Sequence, residues 1–391
     1  MEKEVLISVV IPCLNEEESI GICVEKARKA LDRTGLPFEI VVSDNGSTDR
    51  SVNIAVEKGA MVVREPRKGY GNAYLSGIRK SRGKFIVMAD GDDTYDLTRV
   101  VDFLTPLKEG YDVVIGSRFK GKILPQAMSW SHRYIGNPIL SSMLRLFFGT
   151  SISDSHCGYR SLTRTAFEKM KLKTPGMEFA SEMVVNALKE KLRIKEIPIQ
   201  YHPRIGESKL ESFRDAWRHI KFMLLYAPTY LYLIPGVTLL ASGLILVAAL
   251  YSGPIIIFGR AMDFHYNILG TVFSLLGFQI ITLGIFSRVF SYLNGFDRFD
   301  RRIARLVEGF HLEKGLIAGA ALFFTGSGLF MYILAKWVAL GFGELFEIRR
   351  ALLATTLTVL GIQTVFSSFF LGFLIQEKKG TFTESVDRSN L

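Results

Sequence analysis

The chain has 391 residues, 48% of them hydrophobic and 22% charged, with a formal net charge of +10 and a mean hydropathy of +0.23. It is too apolar overall for an ordinary soluble protein and too charged to be membrane throughout. No nucleic-acid-binding motif accompanies the positive charge, so the charge points to lipid headgroups and substrate phosphates rather than nucleic acid.

The first half alternates strand and helix patterns. Ile7–Ile11 is a continuous apolar run, and the start Met1-Glu-Lys-Glu ahead of it has no signal-peptide pattern. A helix is expected from about Glu17 to Leu31, then a strand over Phe38–Val42. Ser47-Thr48-Asp49 supplies capping side chains for a helix ending near Gly59. Ala60–Val63 reads as extended, a helix over about Tyr70 to Ser81 leads into the strand Phe85–Met88, and a helix over Leu97–Lys108 precedes the strand Asp112–Ile115. This alternation predicts an α/β fold with a doubly wound, mostly parallel sheet. Ligands of such sheets bind outside the strand C-termini, where Asp44 and Asp90 fall.

Between Glu207 and Tyr226, Lys209, Arg214, Arg218 and Lys221 interleave with Phe213, Trp217, Phe222 and Leu225. This mixture predicts helices in a membrane interface; a charged helix packed on the first domain is the alternative. Four apolar segments follow, about Thr229–Leu250, Ile268–Phe290, Leu316–Leu340 and Leu352–Ile375. Each exceeds the roughly 20 residues that cross a ~30 Å hydrocarbon core. The second connection carries Arg298, Arg301, Arg302 and Arg305, and the tail carries Lys378 and Lys379. The first connection has only Arg260, and in the third Glu344 and Glu347 offset Arg349 and Arg350. That asymmetry places both termini and the first domain on the cytoplasmic side of the cell membrane, in a multi-pass protein. The expected organisation is a catalytic domain over 1–206, juxtamembrane interfacial helices over 207–227, four spans over 228–376 and a polar, disordered tail over 377–391. Cys13, Cys23 and Cys157 form neither a metal motif nor a disulfide framework, which fits a reducing compartment.

The chemistry centres on Asp90-Gly-Asp92-Asp93, released by the apolar run Phe85-Ile-Val-Met-Ala89. Two carboxylates one residue apart at a strand end can reach one cation, and hard oxygen ligands favour Mg²⁺ or Mn²⁺. Such a cation would bridge the diphosphate oxygens of a nucleotide sugar. An Asp-x-Asp alone is a weak signal, and the surrounding pattern raises it. Val10-Ile-Pro-Cys-Leu-Asn-Glu-Glu17, Ser43-Asp-Asn-Gly-Ser-Thr-Asp49 and Asp90-Gly-Asp92 occur in order, followed by Gly116-Ser-Arg118, Asp154 through Arg160, and Arg204-Ile-Gly-Glu-Ser-Lys209.

Together these motifs resemble the family 2 glycosyltransferases of the GT-A fold. Within that family the chain is similar to the polyprenyl-phosphate hexose synthases, whose best-known members are dolichyl-phosphate mannose synthases. The resemblance covers about Leu6 to Ala227. It implies a nucleotide pocket at Pro12, Glu16 and Asp44, with Asp44 accepting a hydrogen bond from the base. It further implies that Asp90 and Asp92 hold the metal, that Arg118 stands near the donor, and that Arg133, Arg204 and Lys209 face the acceptor phosphate. Leu14 stands where the family often has Tyr, Asn45 replaces a second Asp, and Thr94 takes the place of a metal-assisting Gln. UDP-glucose, another UDP-hexose and GDP-mannose all stay open as donors.

The implied reaction is inverting transfer of a hexose from a nucleotide sugar to a polyprenyl or dolichyl phosphate, giving a lipid-linked sugar for glycosylation. A phosphomonoester is largely ionised at neutral pH, so alignment and electrostatics suffice without an obligatory general base. A processive polysaccharide synthase and a non-catalytic membrane scaffold or flippase partner are the alternatives. Against the first stand the absence of a Gln-x-x-Arg-Trp segment from this chain and the position of every expected span after the catalytic domain. Against the second stand the intact Asp90, Asp92, Arg118 and Lys209. The spans could anchor, support a homo-oligomer or help move product.

Other residues have two readings each. Glu178 and Glu182, four apart on a helical face, are structural or belong to the acceptor site. Arg160 has Asp154 as a partner close in sequence. His132 and His156 read as polar pocket or loop residues rather than ligands. Lys68-Gly-Tyr-Gly71 is either a phosphate-cradling loop or a turn before a helix. The Asn45-Gly-Ser47 sequon has no meaning in a cytosolic domain.

Overall fold

The β-branched runs of the first half become strands of one sheet in a computed structural model that describes residues 5–206, 212–293 and 301–387. The strands are β1 (Ile7–Cys13), β2 (Phe38–Asp44), β3 (Met61–Arg64), β4 (Phe85–Met88), β5 (Val113–Ile123), β6 (Arg160–Thr163) and β7 (Ile194–Tyr201). They lie in the order β3-β2-β1-β4-β6-β5-β7. Every pairing is parallel except those of β6, which runs antiparallel between β4 and β5. This mostly parallel sheet is the expected GT-A arrangement.

The helices of this part are α1 (Ile20–Asp32), α2 (Ser51–Glu57), α3 (Tyr70–Lys80), α4 (Val100–Lys108), α5 (Asn137–Phe148), α6 (Arg164–Met170), α7 (Phe179–Lys189) and α8 (Ser212–Tyr226). Side chains of β1 alternate between the two sheet faces, as a strand's period of two requires. Ile7, Val9 and Ile11 join Val24, Leu31 and Phe103 on one face, while Val10 joins Tyr74, Ile86 and Met183 on the other. Burial on both faces explains why these strands are continuous apolar runs.

Some expectations need correction. Strand β5 continues past Ile115 to Ile123, because it pairs with β7 through a register irregularity between Ser117 and Lys122. Helix α2 starts at Ser51, and Asp49 alone of the three capping candidates serves its first turn, accepting from the Ser51 N–H at 3.0 Å. Helix α8 is a single helix whose inner side packs into the first unit: Phe222 and Met223 are buried with Leu140 and Leu144 of α5. Its other side leaves Phe213, Trp217 and Leu225 exposed.

The chain divides into two units, Met1–Tyr226 and Ala227–Leu391. The second contains α9 (Ile234–Ala249), a hairpin of β8 (Ile255–Ile257) and β9 (Arg260–Met262), α10 (Phe264–Leu293), α11 (Arg301–Gly309), α12 (Leu312–Ala339) and α13 (Ile348–Asp387). Four helical stretches are long and apolar enough to cross a membrane: Thr229–Ala249, Phe264–Leu293, Leu312–Ala339 and Ile348–Gln376. A disordered tail was expected from residue 377, but α13 carries on to Asp387: Glu377-Lys-Lys379 favours helix, and the helix continues through Gly380. Arg298 lies outside the described residues, as do the side chains of Lys378 and Lys379.

Glycines at seven-residue spacing let the spans approach each other closely. A Cβ on Gly277 of α10 would fall 2.3 Å from the Leu240 nitrogen of α9, and one on Gly361 of α13 would fall 2.5 Å from the Phe323 nitrogen of α12. Lipid supplies no hydrophobic drive for helix association, so close backbone packing of this kind replaces it.

Candidate active site

Strand β4 ends at Met88, and the chain turns out of the sheet with Asp90 half-buried. Tyr70 and Tyr74, one turn apart on α3, both donate to Asp90 Oδ1, at 2.9 and 3.1 Å. Gly158 covers the same carboxylate, for a Cβ there would lie 2.7 Å from Asp90 Oδ2 and 2.9 Å from the Tyr70 oxygen. The Gly158 N–H donates to Tyr95 Oη at 2.8 Å, which fixes this backbone above the acid. Burial first, and then the Asp92 charge, push Asp90 up to about 6, against the pull of the two tyrosine hydroxyls.

Asp92 is buried. Its Oδ1 accepts from Thr94 N–H at 3.1 Å and Thr94 Oγ1 at 2.6 Å, and its Oδ2 meets Arg204 at 2.5 Å. The residues that follow β7 strap across this loop: His202 N–H donates to the Thr94 carbonyl and Ile205 N–H to the Asp92 carbonyl. Burial opposes the Arg204 charge, but Asp92, Glu16 and Asp90 hold it above its ordinary value. Asp93 leaves the cluster. It adopts φ 60°, in the left-handed region, and Lys26 Nζ lies 2.8 Å from each of its carboxylate oxygens.

Asp90 and Asp92 are therefore the pair able to hold a divalent cation. Among the described residues no group of three or more His, Cys, Asp or Glu residues is placed to do so. A two-carboxylate seat suits Mg²⁺ or Mn²⁺ that takes its other oxygens from a diphosphate. The raised affinity of Asp90 for a proton is what adjacent, partly desolvated carboxylates show when no cation neutralises them, and the residues fit the ion.

The expected nucleotide residues stand at the neighbouring strand ends. Pro12 is opposite Ser43 in the β1–β2 register, and Cys13 is opposite Asp44. Asp44 is buried and shapes its own turn, accepting from Ser47 N–H at 3.0 Å and Gly46 N–H at 3.3 Å. Asn15 Oδ1 accepts from Thr48 N–H, and Ser47 Oγ accepts from Asn15 N–H, so the loops after β1 and β2 clasp each other. Glu16 is tied through its backbone N–H to Ser51 Oγ at 2.8 Å. Asn45, where the family has an Asp, donates to the carbonyls of Glu65 and Arg67 and accepts from Gly69 N–H. An amide with both donor and acceptor serves that position; a carboxylate could not donate.

Arg118 makes a fork with Asp154, Nε to Oδ2 and Nη2 to Oδ1, both at 2.7 Å, with Arg118 N–H also on Oδ2. Burial works against the guanidinium charge, but Asp154 outweighs it and holds Arg118 well above its ordinary value. Arg118 is thus Asp154's partner, which corrects the pairing of Asp154 with Arg160. Arg160 is fully buried on carbonyls instead, those of Ser155, Cys157 and Ala180 at 2.6 to 2.8 Å. The reason is topological: β5 carries Arg118 alongside the Ser153–Asp154 loop, while β6 carries Arg160 inward.

Glu182 is structural, accepting from Lys173 N–H and Thr174 N–H and hydroxyl. Lys68–Gly71 is the turn into α3; Gly69 has φ 135° and passes under the Pro175 carbonyl, where a Cβ would lie at 2.2 Å. His156 lies half-buried beside the buried His219 of α8, ring centroids 4.4 Å apart, and both share Ser181 Oγ. Arg133 sits in a π-helical turn, His132–Gly136, with its guanidinium over the Tyr134 ring. Lys209 lies outside the described residues. Sequence reasoning missed Tyr70, Tyr74 and Gly158. The four-residue spacing of the tyrosines was the available signal, though only the fold aims them at Asp90.

Residues 8–171 match the model of Glycosyl transferase family 2, and residues 285–375 match the Glycosyltransferase family 2 C-terminal transmembrane region. The chain is similar to the Low-salt glycan biosynthesis hexosyltransferase Agl6 of Haloferax volcanii, 41% identical over 371 residues, covering 94% of this chain and 89% of that one. It is also similar to the Dolichyl-phosphate hexose transferase of Haloferax volcanii, 30% identical over 208 residues, covering 53% of this chain and 87% of the relative. Among solved structures, glucosyl-3-phosphoglycerate synthase of Mycobacterium tuberculosis in complex with Mn²⁺, UDP and glucosyl-3-phosphoglycerate aligns with a TM-score of 0.46 and 23% identity, covering 56% of this chain and 79% of that one.

Proposed function

Since this chain belongs to glycosyltransferase family 2 and is a multi-pass membrane glycosyltransferase, we propose that it transfers a hexose from a nucleotide sugar to a polyprenyl or dolichyl phosphate. The observation that carries this reading is the acid pair at the end of β4, with Arg204 on Asp92 and a strap from β7 across it. One pocket there gathers carboxylates for a cation and an arginine for phosphate, as a reaction between two phosphate-bearing substrates requires.

Asp90 and Asp92 would hold Mg²⁺ or Mn²⁺, which when bound would neutralise negative charge on the leaving nucleotide diphosphate. Tyr70 and Tyr74 fix the Asp90 carboxylate by donating to one oxygen and leave the other as acceptor. Thr94 does the same for Asp92. Pro12, Glu16 and Asp44 line the nucleotide side in this reading, with Asp44 oriented by its own turn. Arg204 would exchange its carboxylate partner for phosphate oxygens when substrates bind, and Arg133 and Lys209 would join it on the acceptor. Arg118, held by Asp154, acts as a positioning residue that props the β5 side of the pocket. UDP-glucose, other UDP-hexoses and GDP-mannose are the donor candidates. The cytoplasmic face of the cell membrane is the proposed setting of the catalytic unit, with α8 in the interface.

The test is transfer of radiolabelled hexose by purified protein in lipid, with each nucleotide sugar, a polyprenyl monophosphate, and Mg²⁺, Mn²⁺ or chelator. Label should enter an organic-soluble lipid, and chelation should stop it. Label in an aqueous polymer, or equal turnover after exhaustive chelation, would refute the proposal.

A further inference from the structure

Helix α1 grips the loop that carries the acid pair. Gly91 brings the loop backbone close to the end of β1, where a Cβ would fall 3.0 Å from the Pro12 carbonyl oxygen. Two residues of α1, three apart and therefore on one face, reach the same loop. The Cys23 thiol donates to the Asp90 carbonyl at 4.0 Å, a long and weak contact. Lys26 makes the stronger one, with Nζ 2.8 Å from each carboxylate oxygen of Asp93. The Asp93 side chain is only 13% exposed, against 34% for Lys26, so water screens this pair less than a fully exposed one.

The pair matters because of what Asp93 does to its neighbours. Its φ of 60° is a conformation that residues with a Cβ adopt at a cost, although Asp bears it better than most. That turn brings Thr94 back onto Asp92, whose Oδ1 accepts from the Thr94 N–H at 3.1 Å and the hydroxyl at 2.6 Å. With Oδ1 engaged, Oδ2 is the oxygen that meets Arg204. The aim of the Asp92 carboxylate thus depends on the backbone of Asp93. Lys26 also takes a third acid out of play. Asp90, Asp92 and Asp93 fall within four residues, and an unpaired Asp93 would repel the other two or compete for their cation.

We propose that Lys26 and Asp93 form a positioning pair for the cation seat: their ion pair keeps Asp93 left-handed and apart from the acid pair, and so aims the Asp92 carboxylate at Mg²⁺ or Mn²⁺. Neither residue is a ligand. The inference rests on the reading of Asp90 and Asp92 as the metal ligands. It adds that the geometry of their seat is set from α1, outside the acidic motif.

The probe is Mn²⁺ alone, with the free ion read by electron paramagnetic resonance against the full-length protein in detergent. The parent should bind the ion and Asp92→Ala should not; equal behaviour of the two would remove the metal reading, and this proposal with it. Lys26→Met should weaken Mn²⁺ binding about tenfold, and Lys26→Arg should keep it within about twofold of the parent. Glycine adopts the left-handed turn without strain and brings no carboxylate, so Asp93→Gly should hold the seat unaided. In that background Lys26→Met should cost nothing further, whereas Asp93→Ala should weaken Mn²⁺ as Lys26→Met does. Parent-like affinity in Lys26→Met would overturn the proposal while leaving the metal reading in place, even if the variant melts lower. Tighter binding would also overturn it, by showing Asp93 join the ion once released. So would a double variant as weak as Lys26→Met, because the loss would then not run through Asp93.

Discussion

The two units solve opposite problems. The first brings ionisable groups out of water and satisfies each with a local partner: Asp154 forks to Arg118, Asp92 takes Thr94 and Arg204, and Arg160 is enclosed by three carbonyls. The second keeps its ion pairs, such as Asp263–Arg349 and Lys336–Glu347, at the ends of its long helices, and packs the apolar middles through glycine. Buried charge gives directional chemistry but makes every partner indispensable, because an orphaned ion inside a protein costs more than the pair contributed. Glycine contacts are non-directional and individually weak, so the second unit should tolerate change wherever backbones are not touching.

The largest effect should come from orphaning a charge in the first unit. Asp154→Ala leaves Arg118 buried without its counter-ion and should lower the stability of that unit by about 3–5 kcal/mol, read by denaturant titration of the full chain followed by limited proteolysis of the first unit. A loss below about 1 kcal/mol would mean the pair is not structural. Next, Asp92→Ala should reduce transfer by about 10²–10³-fold with a smaller change in the unfolding midpoint than Asp154→Ala, since the Arg204 side chain it releases is partly exposed and can turn to water. Full activity in that variant would remove the metal assignment.

Acid should single out the first unit as well. Burial, with Arg160 close by, holds His219 down to about 4 from an ordinary 6.5, so the unfolded chain takes up the proton first. Stability from this site is intact above about pH 6.5, falls as pH drops, and levels out below about 4, a loss of up to about 3 kcal/mol. Melting curves across that range should show the slope, and His219→Gln should reduce it, leaving the part that belongs to His156, which burial also holds well below its ordinary value. An identical slope in the variant would assign the acid sensitivity elsewhere. The smallest effect belongs to the second unit. Gly277→Leu overpacks the α9–α10 contact and should cost about 1–3 kcal/mol, whereas Gly328→Leu, with nothing within 4 Å of its would-be Cβ, should melt like the parent. Equal melting of the two variants in detergent would break the contrast between the units.

Much of the site was legible because its signals are local. Two aspartates directly after a continuous apolar strand can only emerge at the strand's end, so Asp90 and Asp92 were identifiable without a fold. Asp44, at the end of β2, was legible for the same reason. What contacts those acids was not. Tyr70 and Tyr74 reach Asp90 from a helix that precedes it by some turns of chain, and Arg204 reaches Asp92 from beyond β7. Sequence proximity also misled, since Asp154 stands near Arg160 in the chain yet pairs with Arg118 across β5.

Composition and periodicity by themselves determined the alternating α/β half, the four long apolar helices and the strand-end position of the acid pair, because apolar patterning is written in consecutive residues. Only the tertiary structure decided that β6 runs antiparallel, that α8 packs into the first unit, that Asp93 belongs to Lys26 rather than to the acid pair, and that Gly158 roofs Asp90. Each of these depends on which distant segments meet, and that is fixed by how the two faces of the sheet are covered rather than by any local preference of the chain.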